Sequence, residues 1–310
     1  MDNNTERIST STEELEQAAP FRVTNDFLAK RPLSASSLKH FRESPKHYIH
    51  YITEKRVDKP EWALGRLVEC MILEPEKLDK KYCFPTMEKP NMSYTTKLAK
   101  EIAEWNKIIE TAVLNKQTVI DPDMQKLARK MADSALQTEE TRYYIDRIAK
   151  FKNGRKVIQE KLEWVDKKTK LPIIGYLDFK AEIEGTEIII DIKTDKDGNP
   201  DDFNRGAINK DYQVQVGAYL EGYRNKYFSF PEFMFMVIEK VKPYDAIMMH
   251  CDQKFIEASK AEFNHLLTSF RYCMDNDLFH KGRAFWRPEG MNYFNMEIPR
   301  YKKMRLPIDE

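Results

Sequence analysis

The chain has 310 residues, of which 33% are charged and 12% aromatic, long enough for a sizeable core and too rich in aromatics for a disordered protein. Fifty-one basic residues against fifty acidic ones leave a net charge of +1, so bulk charge marks no nucleic-acid partner unless the cations are segregated in space. No apolar run approaches the roughly 18 residues of a membrane span, and the polar start holds no signal-peptide core, which makes the cytoplasm the expected compartment and excludes a membrane partner.

Residues 1–20 are rich in Asn, Ser, Thr and Glu without periodicity and read as a disordered tail. A partly ordered arm follows over 21–32. From Ser34 the pattern turns helical, with Ser34 or Ser36 as cap and Leu38, Phe41, Tyr48, Ile49 and Ile52 on one apolar stripe. Pro45 splits that stripe into two short helices. The segment is basic (Lys39, Arg42, Lys46, Lys55, Arg56), a composition shared by solvated helix faces and phosphate-contacting ones. Further helices are expected over 62–73, 91–116 and 122–137; in the second, Leu98, Ile102, Trp105 and Ile109 repeat at helical spacing.

From 157 to 193 the apolar residues become β-branched, and turns fall at 166–170 and at Glu184-Gly185, so three strands are expected. A helix over 210–227, a strand pair over 232–240 and 244–251 turning at Lys242-Pro243, and a helix over 255–276 complete the order. The tail carries Phe285, Trp286, Tyr293 and Phe294. Cys70, Cys83, Cys251 and Cys273 stand far apart with no CxxC pair, which leaves no local spacing for a zinc knuckle or iron–sulfur cluster and points to reduced thiols.

The segment Gly175-Tyr-Leu-Asp178-Phe-Lys180, followed by Ile188-Ile-Ile-Asp191-Ile-Lys193-Thr194, carries the chemistry. A two-residue turn at Glu184-Gly185 sets Ile183 against Thr186 and, counting outward, Asp178 against Asp191. Directly opposed residues share a face about 4.5–5.5 Å apart, and Lys193 joins them two residues on. Two carboxylates so placed repel unless a cation neutralises them; aspartate oxygens suit Mg²⁺, with Mn²⁺ as substitute. A buried Asp–Lys ion pair with an ordinary aspartate beside it is the bland alternative, and a one-residue slip would turn Asp178 to the other face.

These residues resemble the PD-(D/E)XK nuclease superfamily, in its RecB-like and RecE-like (exonuclease VIII) branch. Four pieces occur in the family's order. Ser34-Ala-Ser-Ser-Leu-Lys-His-Phe-Arg-Glu-Ser-Pro45 resembles the opening helix, and Gly65-Arg-Leu-Val-Glu69 through Leu73-Glu-Pro75 resembles the Gly-x-x-x-His helix. The Asp178/Asp191–Lys193 hairpin resembles the catalytic one, and Gln215-Val-Gly-Ala-Tyr219 the Gln-x-x-x-Tyr helix after it. Glu69 stands where relatives place a metal-binding His, and Asp191 where Glu is commoner.

The resemblance implies an α/β fold with a central mixed β-sheet flanked by helices, in a single nuclease domain over 21–310. Within it, 34–150 would be a helical section, 155–275 the catalytic core and 276–310 an extension. It implies Asp178, Asp191, Lys193, Gln215 and Tyr219 as catalytic residues and Asp178, Asp191, Glu69 and Glu160 as metal ligands, Glu163 being the alternative to Glu160. Ser36, Lys39, Arg42 and Lys46 would contact nucleic acid. The implied reaction is Mg²⁺-dependent hydrolysis at double-stranded DNA ends in phage-type recombination, by a homo-oligomeric ring with a single-strand annealing protein as partner. An endonuclease of restriction or repair type, and an inactive binding module of the same fold, are the alternatives.

Overall fold

In the computed structural model, residues 23–54, 58–87, 90, 99–287 and 291 are described. The tail over 1–20, the cations Lys55 and Arg56, the first part (91–98) of the helix expected over 91–116 and the aromatics Tyr293 and Phe294 lie outside them.

The N-terminal arm forms α1 (Asn25–Lys30). Next come α2 (Ala35–Glu43) and α3 (Pro45–Thr53). Ser34 caps α2, its hydroxyl accepting from the Ser37 amide while the Ser37 hydroxyl accepts from the Ser34 amide, a reciprocal cap that satisfies two orphan donors. Pro45 divides the stripe as expected, because it occupies the first turn of α3, where no amide hydrogen is needed.

Helix α4 (Pro60–Leu73) leads through a 3-10 turn (Pro75–Lys77) to α5 (Leu78–Lys81). A short parallel pair, β1 (Tyr82–Cys83) with β2 (Thr118–Val119), brackets α6 (Ala99–Leu114). Then follow α7 (Pro122–Gln137) and α8 (Glu139–Ile145).

The main sheet comprises β3 (Ile158–Val165), β4 (Pro172–Ile183), β5 (Thr186–Asp195), β6 (Glu232–Glu239) and β7 (Ala246–His250), hydrogen-bonded in that order. Only the β5–β6 pair is parallel, so the sheet is mixed. The parallel step needs a crossover, supplied by α9 (Pro200–Asn209) and α10 (Tyr212–Tyr227). Asn199 caps α9 ahead of Pro200, a helix start that reads equally well as an Asn-Pro turn, and no helix is predicted there from sequence. Asp211, at φ +55, breaks the chain between α9 and α10. Helix α11 (Gln253–Asp275) packs along α10, and Gly217 makes that approach possible: a β-carbon there would stand 2.8 Å from Phe263 Cβ.

Two cores lie on opposite faces of the sheet. One joins α2, α10 and α11 through Phe41, Tyr223, Phe263 and Phe270 to Leu162, Ile173, Leu177 and Ile189. The other joins α4, α7 and α8 through Leu67, Met131 and Ile145 to Phe179, Ile188 and Ile190. Strand β5 is thus apolar on both faces through Ile188, Ile189 and Ile190 and changes character only at Asp191, where the carboxylates begin. All four cysteines are free thiols. No helix among the described residues is long and apolar enough to cross a membrane.

Candidate active site

The hairpin register is the one counted from the turn: Ile183 pairs with Thr186 and Phe179 with Ile190, with Glu184 and Gly185 at positive φ. The ladder ends there, however, so Asp178 is not the ladder partner of Asp191. Strand β4 changes face at this point, since Ile173 and Leu177 enter one core and Phe179 and Ala181 the other. Asp178 Oδ2 instead accepts a hydrogen bond of 2.7 Å from the Ile192 amide, filling the ladder position that the parting strands leave open. The two acids meet because the strands separate, not because they oppose each other.

On one side of the cluster the geometry is closed. Asp191, 1% exposed, faces the Lys193 ammonium at 2.5 Å. The Gln215 amide nitrogen donates to Asp191 Oδ1 at 2.6 Å and to the Tyr219 hydroxyl at 3.1 Å, while its carbonyl accepts from Lys193 at 3.0 Å. Gln215 and Tyr219 lie one turn apart on α10, and Tyr219 reaches the sheet because Gly175 opposite has no side chain; a β-carbon there would stand 2.9 Å from the Tyr219 ring. Burial alone would lower the Lys193 pKa, but Asp191, Tyr212 and Asp178 together outweigh it and hold the ammonium above its ordinary value. Tyr212 adds its ring face 4.6 Å from the Lys193 nitrogen. Burial, then Asp191 and Asp178, raise Tyr219 well above its usual value, so its phenol stays neutral.

On the other side charges are poorly matched. Burial and the Asp191 charge push Glu69 up to about 7. Burial, with Glu69 and Asp191 adding repulsion, raises Asp178 well above the carboxylate range. One neutral group stands between them: the Gln159 amide nitrogen donates to Glu69 Oε1 and lies 3.5 Å from Asp178 Oδ1. Gln159 adopts φ +50 within β3, an uncommon conformation for a side-chain-bearing residue. It lies at the same level of the sheet as the change of face in β4. Among the described residues no three His, Cys, Asp or Glu side chains close around one point as they stand. The donor set itself, three carboxylates from α4, β4 and β5 with two pushed above the ordinary carboxylate range, has the chemistry of a hard divalent-cation site.

Glu160 is the inward-facing member of its pair, Glu163 being exposed beside Lys161. It does not reach the cluster. It bonds Lys226 at 2.6 Å and the Tyr227 hydroxyl at the far end of α10, and the place beside Glu69 and Asp178 is taken by its neighbour Gln159. The sequence did hold a signal for this, an uncharged amide beside a glutamate at a strand start, but not the positive φ that turns it inward.

Of the four candidate nucleic-acid contacts, Ser36 and Lys39 line a cavity of about 460 Å³ with Lys193, Gln215 and Tyr219. Burial and the Lys193 charge lower Lys39 to about 8. Arg42 is drawn away: it pairs with Asp211 at 2.9 Å and Glu262 at 2.7 Å, tying α2 to α10 and α11. Lys46 is exposed and lines none of the cavity around Lys193.

Residues 34–281 match the model of a family described as a PDDEXK-like domain of unknown function (DUF3799). None of the curated proteins matches the sequence. Among solved structures, a candidate exonuclease from Eubacterium rectale is similar over 97% of this chain and 100% of that one, at 11% identity and a TM-score of 0.51, a likeness of fold. SSO0001 aligns over 69% of this chain and 94% of that one at 14% identity, with a TM-score of 0.25.

Proposed function

The chain belongs to the family of PDDEXK-like domains, and so to the PD-(D/E)XK nuclease superfamily; from that premise we propose that it is a divalent-metal-dependent deoxyribonuclease hydrolysing DNA phosphodiesters. The observation that carries the proposal is the mutual repulsion of the neighbouring carboxylates Glu69, Asp178 and Asp191 beside a locked Lys193.

A bound Mg²⁺ or Mn²⁺ ion would neutralise these carboxylates, activate water and polarise a phosphate. Glu69, Asp178 and Asp191 are the residues that would hold it, with Gln159 standing between the first two. Asp191 and Gln215 fix the Lys193 ammonium. Because that group is held charged, it acts as a hydrogen-bond donor to a phosphate oxygen or to the attacking water and not as a proton acceptor. Gln215 orients Lys193 and Asp191 together, and Tyr219, neutral and packed on Gly175, fixes Gln215.

The finer reading is an exonuclease acting on double-stranded ends during phage-type recombination, as a ring working with a single-strand annealing protein. Its support is the four-piece sequence resemblance to RecE-like enzymes, together with the likeness of fold to the candidate exonuclease. End-labelled linear duplex and covalently closed circular duplex, each incubated with Mg²⁺, test it. Loss of label from the linear substrate alone, abolished by Lys193→Ala, is the expected result. Cutting of the circle makes it an endonuclease; no cutting of either leaves a binding module.

A further inference from the structure

The balanced composition conceals a segregated one. A cavity of about 730 Å³ opens between α4, α5 and the end of α6, and its wall includes Glu69 and Gln159 of the carboxylate cluster. Five cationic side chains line it (Arg66, Lys77, Lys80, Lys81, Lys116) against the two carboxylates Glu69 and Glu74. A second cavity of about 610 Å³ lies along the start of β3 and also includes Gln159. Four cations line this one, Lys152, Arg155, Lys161 and Lys226, against Glu160 alone. Gln159 belongs to both walls, so the two adjoin as one basic groove, which reaches the cluster at Glu69 and Gln159. It is distinct from the cavity lined by Ser36 and Lys39.

Several of these cations are already engaged. Lys77 and Lys81 pair with Glu74, Arg66 with Asp58, Lys161 with Glu163 and Lys226 with Glu160. Four have no ion pair among the described residues and are exposed: Lys80 and Lys116 in the first cavity, Lys152 and Arg155 in the second. They fall as one pair on each side of Gln159. Glu74 and Glu160 are held by lysines, so free cations flank one lining carboxylate without an ion pair among the described residues, Glu69; that arrangement matches a polyanion with a regular charge repeat that must be cut at that point. A protein partner rich in acids would meet Glu69 as repulsion with nothing to gain there.

We propose that this groove carries the phosphate backbone of the DNA substrate across the cluster, with Lys80 and Lys116 gripping one side of the cleavage point and Lys152 and Arg155 the other. The inference rests on the deoxyribonuclease reading and adds contacts beyond those expected of Ser36, Lys39, Arg42 and Lys46. Contacts of this kind neutralise phosphates and release counterions, so each is counted by the salt dependence of binding, about 0.9 in slope per phosphate on duplex and about 0.7 on single strands.

The test is fluorescence anisotropy with labelled duplex DNA over a salt series, in the cleavage-blocked Lys193→Ala protein. Lys80→Ala with Lys116→Ala, and separately Lys152→Ala with Arg155→Ala, are each expected to lower the slope of log affinity against log salt by about 1.4 to 1.8. Lys242→Ala with Lys254→Ala, exposed residues outside the groove, should leave it unchanged, and thermal melts show whether each variant is folded. Unchanged slopes in the two groove pairs, loss in only one of them, or an equal loss in the control pair overturns the inference. Wild-type cleavage of the same duplex with Mg²⁺ is measured alongside: cleavage with unchanged slopes sinks the groove alone, while no binding and no cleavage sinks the nuclease reading as well.

Discussion

The two halves of the candidate site are built on opposite principles. Around Lys193 each charge has a fixed opposite: the ammonium sits against Asp191, and Gln215 bonds both. Around Glu69 and Asp178, like charges share one amide, and both acids are pushed toward their protonated forms. The difference lies in partners. A preorganised donor is useful when it is already satisfied and rigid; a cation site is useful when its ligands remain uncompensated until the cation arrives. The uneven pairing is what a metal-assisted hydrolase needs on either side of a phosphate.

The locked half breaks most visibly with Lys193→Ala. Removing a preorganised donor aimed at developing charge costs about 10²–10³-fold in rate, so DNA cleavage should fall by that factor while Mg²⁺ affinity, measured by titration calorimetry, stays nearly constant. If affinity fell with the rate, Lys193 would be shaping the ligands and the two halves would not be separable.

The mismatched half responds to pH. In the fold Glu69 stays protonated up to about 7, against an ordinary 4.5, and Asp178 shifts in the same direction. The folded chain therefore holds protons that the unfolded chain has released. The favourable contribution of these groups is lost as pH rises from the ordinary carboxylate range through about 7. Metal binding needs the same protons removed, so Mg²⁺ affinity should rise at least about tenfold between pH 6 and pH 8. A flat profile would mean that the two carboxylates are already ionised and not opposed.

Asp178→Asn sharpens the contrast from the other direction. It keeps an acceptor for the Ile192 amide while deleting one of the repelling charges. Stability at pH 8 should increase by roughly 1 kcal/mol, seen as a higher denaturant midpoint, as metal affinity is lost. Asp191→Asn, on the matched side, should destabilise instead, because it strips the buried Lys193 of its counter-ion. Smallest of all is Glu160→Gln: with its partners Lys226 and Tyr227 away from the cluster, Mg²⁺ affinity should change less than about twofold.

Much of this was legible in the residues. Alternation and turn residues placed the hairpin and its register, since Glu184-Gly185 leaves little freedom to the pairing that follows. Pro45 and Pro122 marked helix starts, each standing at the first turn of its helix, whereas the helix expected from Trp62 begins two residues earlier, at Pro60. What periodicity does not carry is a change of face inside a strand. The left-handed Gln159 and the parting of β4 from β5 at Asp178 are tertiary events, and from them follow both the exclusion of Glu160 and the arrival of Gln159. The partners of Arg42 were hidden for a similar reason: nothing local reveals that Asp211 and Glu262, far along the chain, would meet it.

The central claim is that Glu69, Asp178 and Asp191 together bind a divalent ion, and anomalous diffraction from crystals soaked in Mn²⁺ tests it most directly. A peak within ligand distance of all three carboxylates, absent in Asp178→Asn crystals, is the predicted result. No peak among them, or one held by Glu160 instead, would contradict it.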